Sequence, residues 1–168
     1  TLPAHLKDLI DPYKFNVILH PKSKGSAKEW GIDNFNKLIS LLPEAKFKIF
    51  ISGTKQDAEF MGTLLNSSRI NDITGKLSLK EFISFINAAD GLVAASTGPL
   101  HIAAALDKKA IGLFVPKKPM HPGRWAPIGN KAHYIVFDPS CEKCKSGEDC
   151  NCISEIDPKK IVDLLSNE

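Results

Sequence analysis

Short apolar runs alternate along this chain with segments whose apolar residues repeat every three to four positions. Phe15-Asn16-Val17-Ile18-Leu19 is apolar without alternation and stops at His20-Pro21, the pattern of a strand buried on both faces. Phe35, Leu38, Ile39 and Leu42 then fall at i, i+3, i+4 and i+7, which predicts an amphipathic helix opening near Asp33. Phe47–Ile51 reads as a second strand ended by Ser52-Gly53, followed by a helix over 56–66 with Ala58, Met61 and Leu65 on one face. A weaker third strand centres on Ile73. Ser78 and Glu81 form a capping-box pair, with Leu79, Phe82, Ile83 and Ile86 as the periodic face behind it. Gly91–Ala95 is a fourth strand feeding Ser96-Thr97-Gly98-Pro99 and an Ala-rich helix to Leu106. Strands at 110–115 and 134–137 complete the series. Asp157-Pro158 opens a last helix with Ile161, Val162 and Leu165 inward. Residues 1–14, with Pro3 and Pro12 and no sustained period, read as a linker.

Strands alternating with helices predict an α/β, Rossmann-like parallel sheet with helices on both faces, formed by residues 15–168. A length of 168 residues suits one domain with its own core. A net charge of +3, with Lys and Glu interleaved, gives no reason to expect nucleic acid and suits a small anionic ligand. No apolar run reaches the roughly 20 residues of a membrane span, and no secretion signal opens the chain. The start at Thr1 without a Met is expected from processing or from a cut within a longer protein. The four cysteines are confined to 141–152 instead of being spread as in a disulfide scaffold, so a reducing, cytoplasmic setting is expected.

In such sheets ligands bind at the carboxyl ends of the strands. The first such loop, from His20 to Trp30, offers Ser23, Lys24, Ser26 and Lys28, the ammonium, hydroxyl and backbone groups a diphosphate needs. It reads equally as a solvated basic loop, and it lacks the Walker A frame. Ser96, Thr97, Gly98 and Pro99 lie at a helix start, an anion seat or a plain cap, and His101 lies one turn in. Asp57, at another helix start, fits a ribose hydroxyl or a first-turn acid. The absence of Gly-x-Gly-x-x-Gly after the first strand and of Gly-x-Ser-x-Gly anywhere argues against a dinucleotide dehydrogenase and an α/β-hydrolase. No carboxylate pair suited to glycoside hydrolysis is evident.

Together these loops resemble glycosyltransferase family 9, the ADP-heptose:lipopolysaccharide heptosyltransferases. The resemblance rests on His20-Pro21, on Lys28-Glu29-Trp30 with Gly31 where the family usually has Pro, and on Ser96-Thr97-Gly98-Pro99-Leu100-His101 followed by Ile102-Ala103-Ala104-Ala105. It runs from about residue 15 to the C-terminus. It implies the donor-binding C-terminal half of a two-domain GT-B fold, with ADP-heptose as donor and a lipopolysaccharide-type glycolipid as acceptor. Lys28 would face the diphosphate, Asp57 or Glu59 the ribose, and Thr97, Gly98 and His101 the phosphate or sugar. Transfer would be inverting and need no cofactor. Its general base would be a carboxylate of the acceptor-binding half, which this chain lacks, so the chain alone should bind donor without catalysing transfer. The resemblance also implies work at the inner face of the cytoplasmic membrane by peripheral association. Ser96 departs from the family's Asp, which leaves open another sugar, weaker binding or lost activity; Lys22 and Lys24 depart from its Pro-Gly-Ala-Ser by adding positive charge. A sugar-nucleotide epimerase half and a non-catalytic nucleotide-binding module are the other readings.

Two further segments carry chemistry. Cys141, Cys144, Cys150 and Cys152 supply the ligands of a tetrahedral structural zinc, although Cys-x-Cys is tighter than common zinc half-sites; disulfides and free thiols fit the same spacing. The resembled family includes members with a comparable cysteine group. The Pro-rich loop 116–127 follows the fifth strand at the ligand edge, where Arg124 and Trp125 are expected either to close over a donor or to anchor a surface loop.

Overall fold

Val17, Ile18 and Leu19 are completely buried in β1 (Phe15–His20), which explains why that run shows no alternation. Successive side chains of a strand point to opposite faces, so Val17 and Leu19 enter one core and Ile18 the other. The same division recurs in β2 (Phe47–Ile51), β4 (Gly91–Ala95) and β5 (Lys109–Phe114), where Ile49, Val93 and Ile111 join the first core and Phe50, Leu92 and Ala110 the second. With β3 (Ile70–Asp72) and β6 (Ala132–Val136) these strands form one parallel sheet in the order β3-β2-β1-β4-β5-β6. The computed structural model describes residues 2–167.

The first core is closed by α2 (Ile32–Leu41) and α8 (Pro158–Ser166), and the second by α4 (Leu79–Ala88) and α5 (Gly98–Ala105). The doubly wound, Rossmann-like architecture read from the pattern is therefore the one observed. Phe35, Leu38, Ile39 and Leu42 are all buried, and Asp157 caps α8 by accepting from the Lys159 N–H at 2.9 Å. α5 packs on β4 and β5, where its buried Ala103 and Ala104 are small and Gly112 of β5 leaves room for Leu100. A Cβ at Gly112 would stand 2.8 Å from Leu100 Cδ2 and 2.5 Å from Phe114 Cε2.

Several elements differ from the periodic reading. The helix expected over 56–66 is only α3 (Lys55–Ala58), followed by a turn and a 3-10 segment at Gly62–Asn66. Gly62 takes the left-handed φ of +47°, which an α-helix cannot continue through, and Met61 and Leu64 become the buried pair. β3 ends before Ile73, and β6 runs over 132–136 instead of 134–137. α4 keeps its capping box but buries Phe85 and Ile86, whereas Leu79 is 70% exposed. Residues 4–7, in the segment read as a linker, form the single turn α1 (Ala4–Lys7), which places Leu6 in the second core. Among the described residues, no helix is long and apolar enough to cross a membrane.

Candidate functional site

β1 and β4 are neighbours, and the chain leaves them toward opposite halves of the sheet. The point between their carboxyl ends is where a doubly wound sheet opens a crevice. A cleft of about 520 Å³ lies there, within the range of small-ligand sites. Its walls come from the loops after β1, β2, β3 and β4 together with the start of α4.

The loop after β1 is braced internally. Glu29 accepts from Lys22 Nζ at 2.7 Å and from the Ser23 N–H at 2.9 Å. The Ser23 hydroxyl donates to the Ala27 carbonyl at 2.8 Å, and that of Ser26 to the Ser23 carbonyl at 2.7 Å. Both serines line the cleft while their protons hold the loop in shape. Lys24 also lines it, at a left-handed φ of +52° beside Gly25 at +79°.

After β2, Thr54 and Asp57 form the capping box of α3. Asp57 Oδ2 accepts from the Thr54 N–H at 2.7 Å, and Thr54 Oγ1 from the Asp57 N–H at 3.2 Å. Burial opposes ionisation of Asp57, but the Thr54 hydrogen bonds and the nearby charge of Lys24 outweigh it and hold the carboxyl below the usual range. His20 stands at the floor with Nδ1 2.8 Å from Ser52 Oγ. Burial lowers its pKa to about 4 despite the charges of Asp57 and Glu29, so it is a neutral imidazole near pH 7.

At the end of β4, Thr97 is the N-cap of α5, with Gly98 and Pro99 as the first two helical residues. The Thr97 hydroxyl turns back to the Ala95 carbonyl at 3.2 Å, so no side chain caps the helix. Its first N–H groups and the positive end of its dipole are therefore left for the cleft, and Pro99 brings no N–H of its own. Nothing stands within 4 Å of where a Gly98 Cβ would lie.

Of the residues expected at a site, Ser23, Lys24, Ser26, Asp57, Thr97, Gly98 and Pro99 line this one cleft. Ser96, Lys28 and His101 do not. Lys28 pairs instead with Asp149 from the cysteine segment, and the His101 ring lies 6.4 Å from that of Trp125. The expectation missed His20, Thr54 and the apolar wall of Ile73, Leu77, Leu79 and Phe82, and named Lys22 only as added positive charge.

A family model for glycosyltransferase family 9 (heptosyltransferase) matches residues 4–153. The chain belongs to that family. Lipopolysaccharide heptosyltransferase 2 of Salmonella typhimurium is 25% identical over 158 residues, 86% of this chain and 44% of the relative. Lipooligosaccharide heptosyltransferase 2 of Campylobacter jejuni serotype O:2 is 22% identical, covering 99% of this chain and 59% of its own length. Among solved structures, E. coli ADP-heptose lps heptosyltransferase II superposes with a TM-score of 0.74 at 18% identity, covering 98% of this chain and 51% of that one. The E. coli heptosyltransferase WaaC with ADP gives 0.73 at 18% identity, over 95% and 46%. At these identities the superpositions establish the fold. The chain spans about half the length of the relatives it matches.

Two features of this family member lie outside the cleft. In the loop after β5, Arg124 lies 5.2 Å over the Trp125 ring, on the short α6 (Pro122–Trp125), with Trp125 half-exposed beside α5. The thiols of Cys141, Cys144, Cys150 and Cys152 all come within 4.8 Å of one another, close enough to bind one metal ion.

Proposed function

We propose that this chain is the donor-binding half of an inverting glycosyltransferase, with residues 15–168 as the domain that holds a nucleotide sugar of the ADP-heptose type. The observation that carries the reading is the convergence of Lys24, Thr54, Asp57 and the uncapped start of α5 on a single cleft at the sheet's switch point. On this reading the diphosphate sits between Lys24 and the N–H groups at the start of α5. The apolar wall of Ile73, Leu77 and Phe82 receives the base. ADP in the WaaC structure supports the choice of nucleotide.

In the transfer, an acceptor hydroxyl on a glycolipid attacks the anomeric carbon as the bond to the phosphate oxygen breaks. The electron pair leaves with the diphosphate, whose growing charge Lys24 and the α5 dipole stabilise. The hydroxyl proton passes to a carboxylate of the acceptor-binding half, outside this sequence, at the cytoplasmic face of the membrane. This chain alone therefore binds donor and does not transfer the sugar. Calorimetric titration with ADP, UDP, GDP and CMP tests the reading. Saturable, ADP-selective binding that weakens in Lys24→Gly is expected. Failure of all four nucleotides to bind both this chain and the full-length protein would refute it.

A further inference from the structure

The four cysteines form a cluster that the donor reading does not use. Cys141 immediately precedes α7 (Glu142–Ser146), Cys144 lies within it, and Gly147 ends it at a left-handed φ of +85°. That turn sends the chain back so that Cys150 and Cys152 face the first pair. Cys141 Sγ lies 3.6 Å from Cys150 Sγ, and Cys144 Sγ 3.5 Å from Cys152 Sγ. A zinc ion with four sulfurs at about 2.3 Å in a tetrahedron sets its sulfurs about 3.8 Å apart. The two short separations are near that edge, and the cluster as a whole, within 4.8 Å, needs to contract by only about 1 Å. Two disulfides would draw the thiols into separate pairs at about 2 Å and would not require all four to converge.

The segment around the cluster has few apolar residues of its own to order it. Between Asp138 and Ile156 its only aliphatic side chains are Ile153 and Ile156, apart from the ring of Pro139. Both isoleucines are buried in the first core, and Cys144 is buried with them. Two such residues are few for fixing so long an irregular stretch, the situation in which small folds rely on a metal or a cross-link. Nearby cations suit a negatively charged tetrathiolate centre: Lys143 and Lys145 lie on α7, and Lys117 donates to the Glu148 carbonyl at 3.2 Å.

We propose that Cys141, Cys144, Cys150 and Cys152 together bind one zinc ion, which fastens the segment 138–156 under α2 and beside the first loop of the cleft. Three contacts transmit that anchoring. Asp149, between two of the ligands, pairs with Lys28; Trp30 Nε1 donates to the Ile156 carbonyl at 3.0 Å; and Asn34 Nδ2 donates to the Ser154 carbonyl at 2.8 Å. The ion is structural, because four thiolates leave no coordination position open for a substrate. This inference does not depend on which ligand the cleft binds.

The test is titration of the reduced, metal-free protein with Co²⁺, followed by Zn²⁺. Expected is one equivalent of Co²⁺ per chain with the intense visible bands of a tetrahedral tetrathiolate site, bleached by one equivalent of Zn²⁺. Cys150→Ser, at a partly exposed position, should weaken Co²⁺ binding by more than about a hundredfold, beyond what loss of an outer-shell partner costs. Protein whose four thiols are shown to be reduced but which takes up no stoichiometric Co²⁺ or Zn²⁺ would overturn the proposal. So would binding that Cys150→Ser leaves unchanged in a variant with native circular dichroism. Should that variant not fold, the wild-type titration still decides.

Discussion

Gly98→Ala separates the stability of the fold from occupation of the cleft, because the two respond in opposite directions. Gly98 is the first residue of α5, its φ is not in the left-handed region, and an added Cβ meets nothing within 4 Å. The substitution therefore adds no clash to the free protein. It removes backbone freedom from the unfolded chain, which stabilises by about 0.4–1 kcal/mol. At roughly 2–4 °C per kcal/mol for a domain of this size, the melting temperature should rise by about 1–4 °C. The open space that makes alanine harmless is also where a diphosphate would press against the uncapped N–H groups of α5. A methyl group there should cost one charge-assisted hydrogen bond, about 1.5–3 kcal/mol. ADP binding should weaken about ten- to a hundredfold. Calorimetry with ADP and a thermal melt, run on both proteins, read the two effects independently. A higher melting temperature with unchanged ADP affinity would show that the nucleotide does not approach the start of α5. A lower melting temperature would refute the claim of open space itself.

Other perturbations probe the supports of the site. His20 titrates near pH 4 when folded against 6.5 when free, so between those values the unfolded chain binds a proton that the folded protein excludes. Stability should thus fall as pH drops from 6.5 to 4, by about 3 kcal/mol from this residue, and His20→Gln should flatten that part of a melting-temperature profile. Trp30→Phe leaves the buried Ile156 carbonyl without its donor and should cost at least about 1–3 kcal/mol in urea unfolding, beyond any cavity it opens. Gly112→Ala drives a methyl into Leu100 and Phe114 and should cost about 1–3 kcal/mol, lowering the melting temperature by roughly 2–12 °C.

Which parts of this molecule could be read from the residues follows from what each signal depends on. Parallel strands covered on both faces are largely apolar, so β1, β2, β4 and β5 stood out as apolar-rich runs without alternation. The capping box at Ser78 and the Asp157-Pro158 start were legible because both are local hydrogen-bond patterns. The 56–66 segment misled because periodicity carries no record of Gly62 turning left-handed. The apolar wall of the cleft was hidden for a related reason. Leu79 and Phe82 fit the core-facing period of α4, but the first turn of that helix overhangs the crevice, where the same residues face a ligand's space. Contacts between distant positions left no local trace: nothing in the order of residues announces that Lys28 meets Asp149. The four cysteines were legible as a possible metal site from their spacing, but the turn at Gly147 that brings the thiols together was not.

The electrostatics of the first loop bear on whether the exchange of the family's Asp for Ser96 marks a failing site. The resemblance gave the diphosphate to Lys28, whereas the structure leaves Lys24 as the lysine of this loop best placed for it. Lys22 is neutralised by Glu29 at 2.7 Å and Lys28 by Asp149, whereas Lys24 has no ion-pair partner among the described residues. Lys24 also occupies a left-handed conformation that costs an L-residue about 1–2 kcal/mol and that glycine would adopt freely. Relaxing a loop in a site with no ligand would favour glycine there, so a lysine held in that conformation over the cleft argues for a retained demand for positive charge. Ser96 acts in the same direction, since a serine at the end of β4 removes a negative charge from the approach to the α5 N-terminus. On the donor reading, the two departures from the family pattern both make the cleft more attractive to a diphosphate.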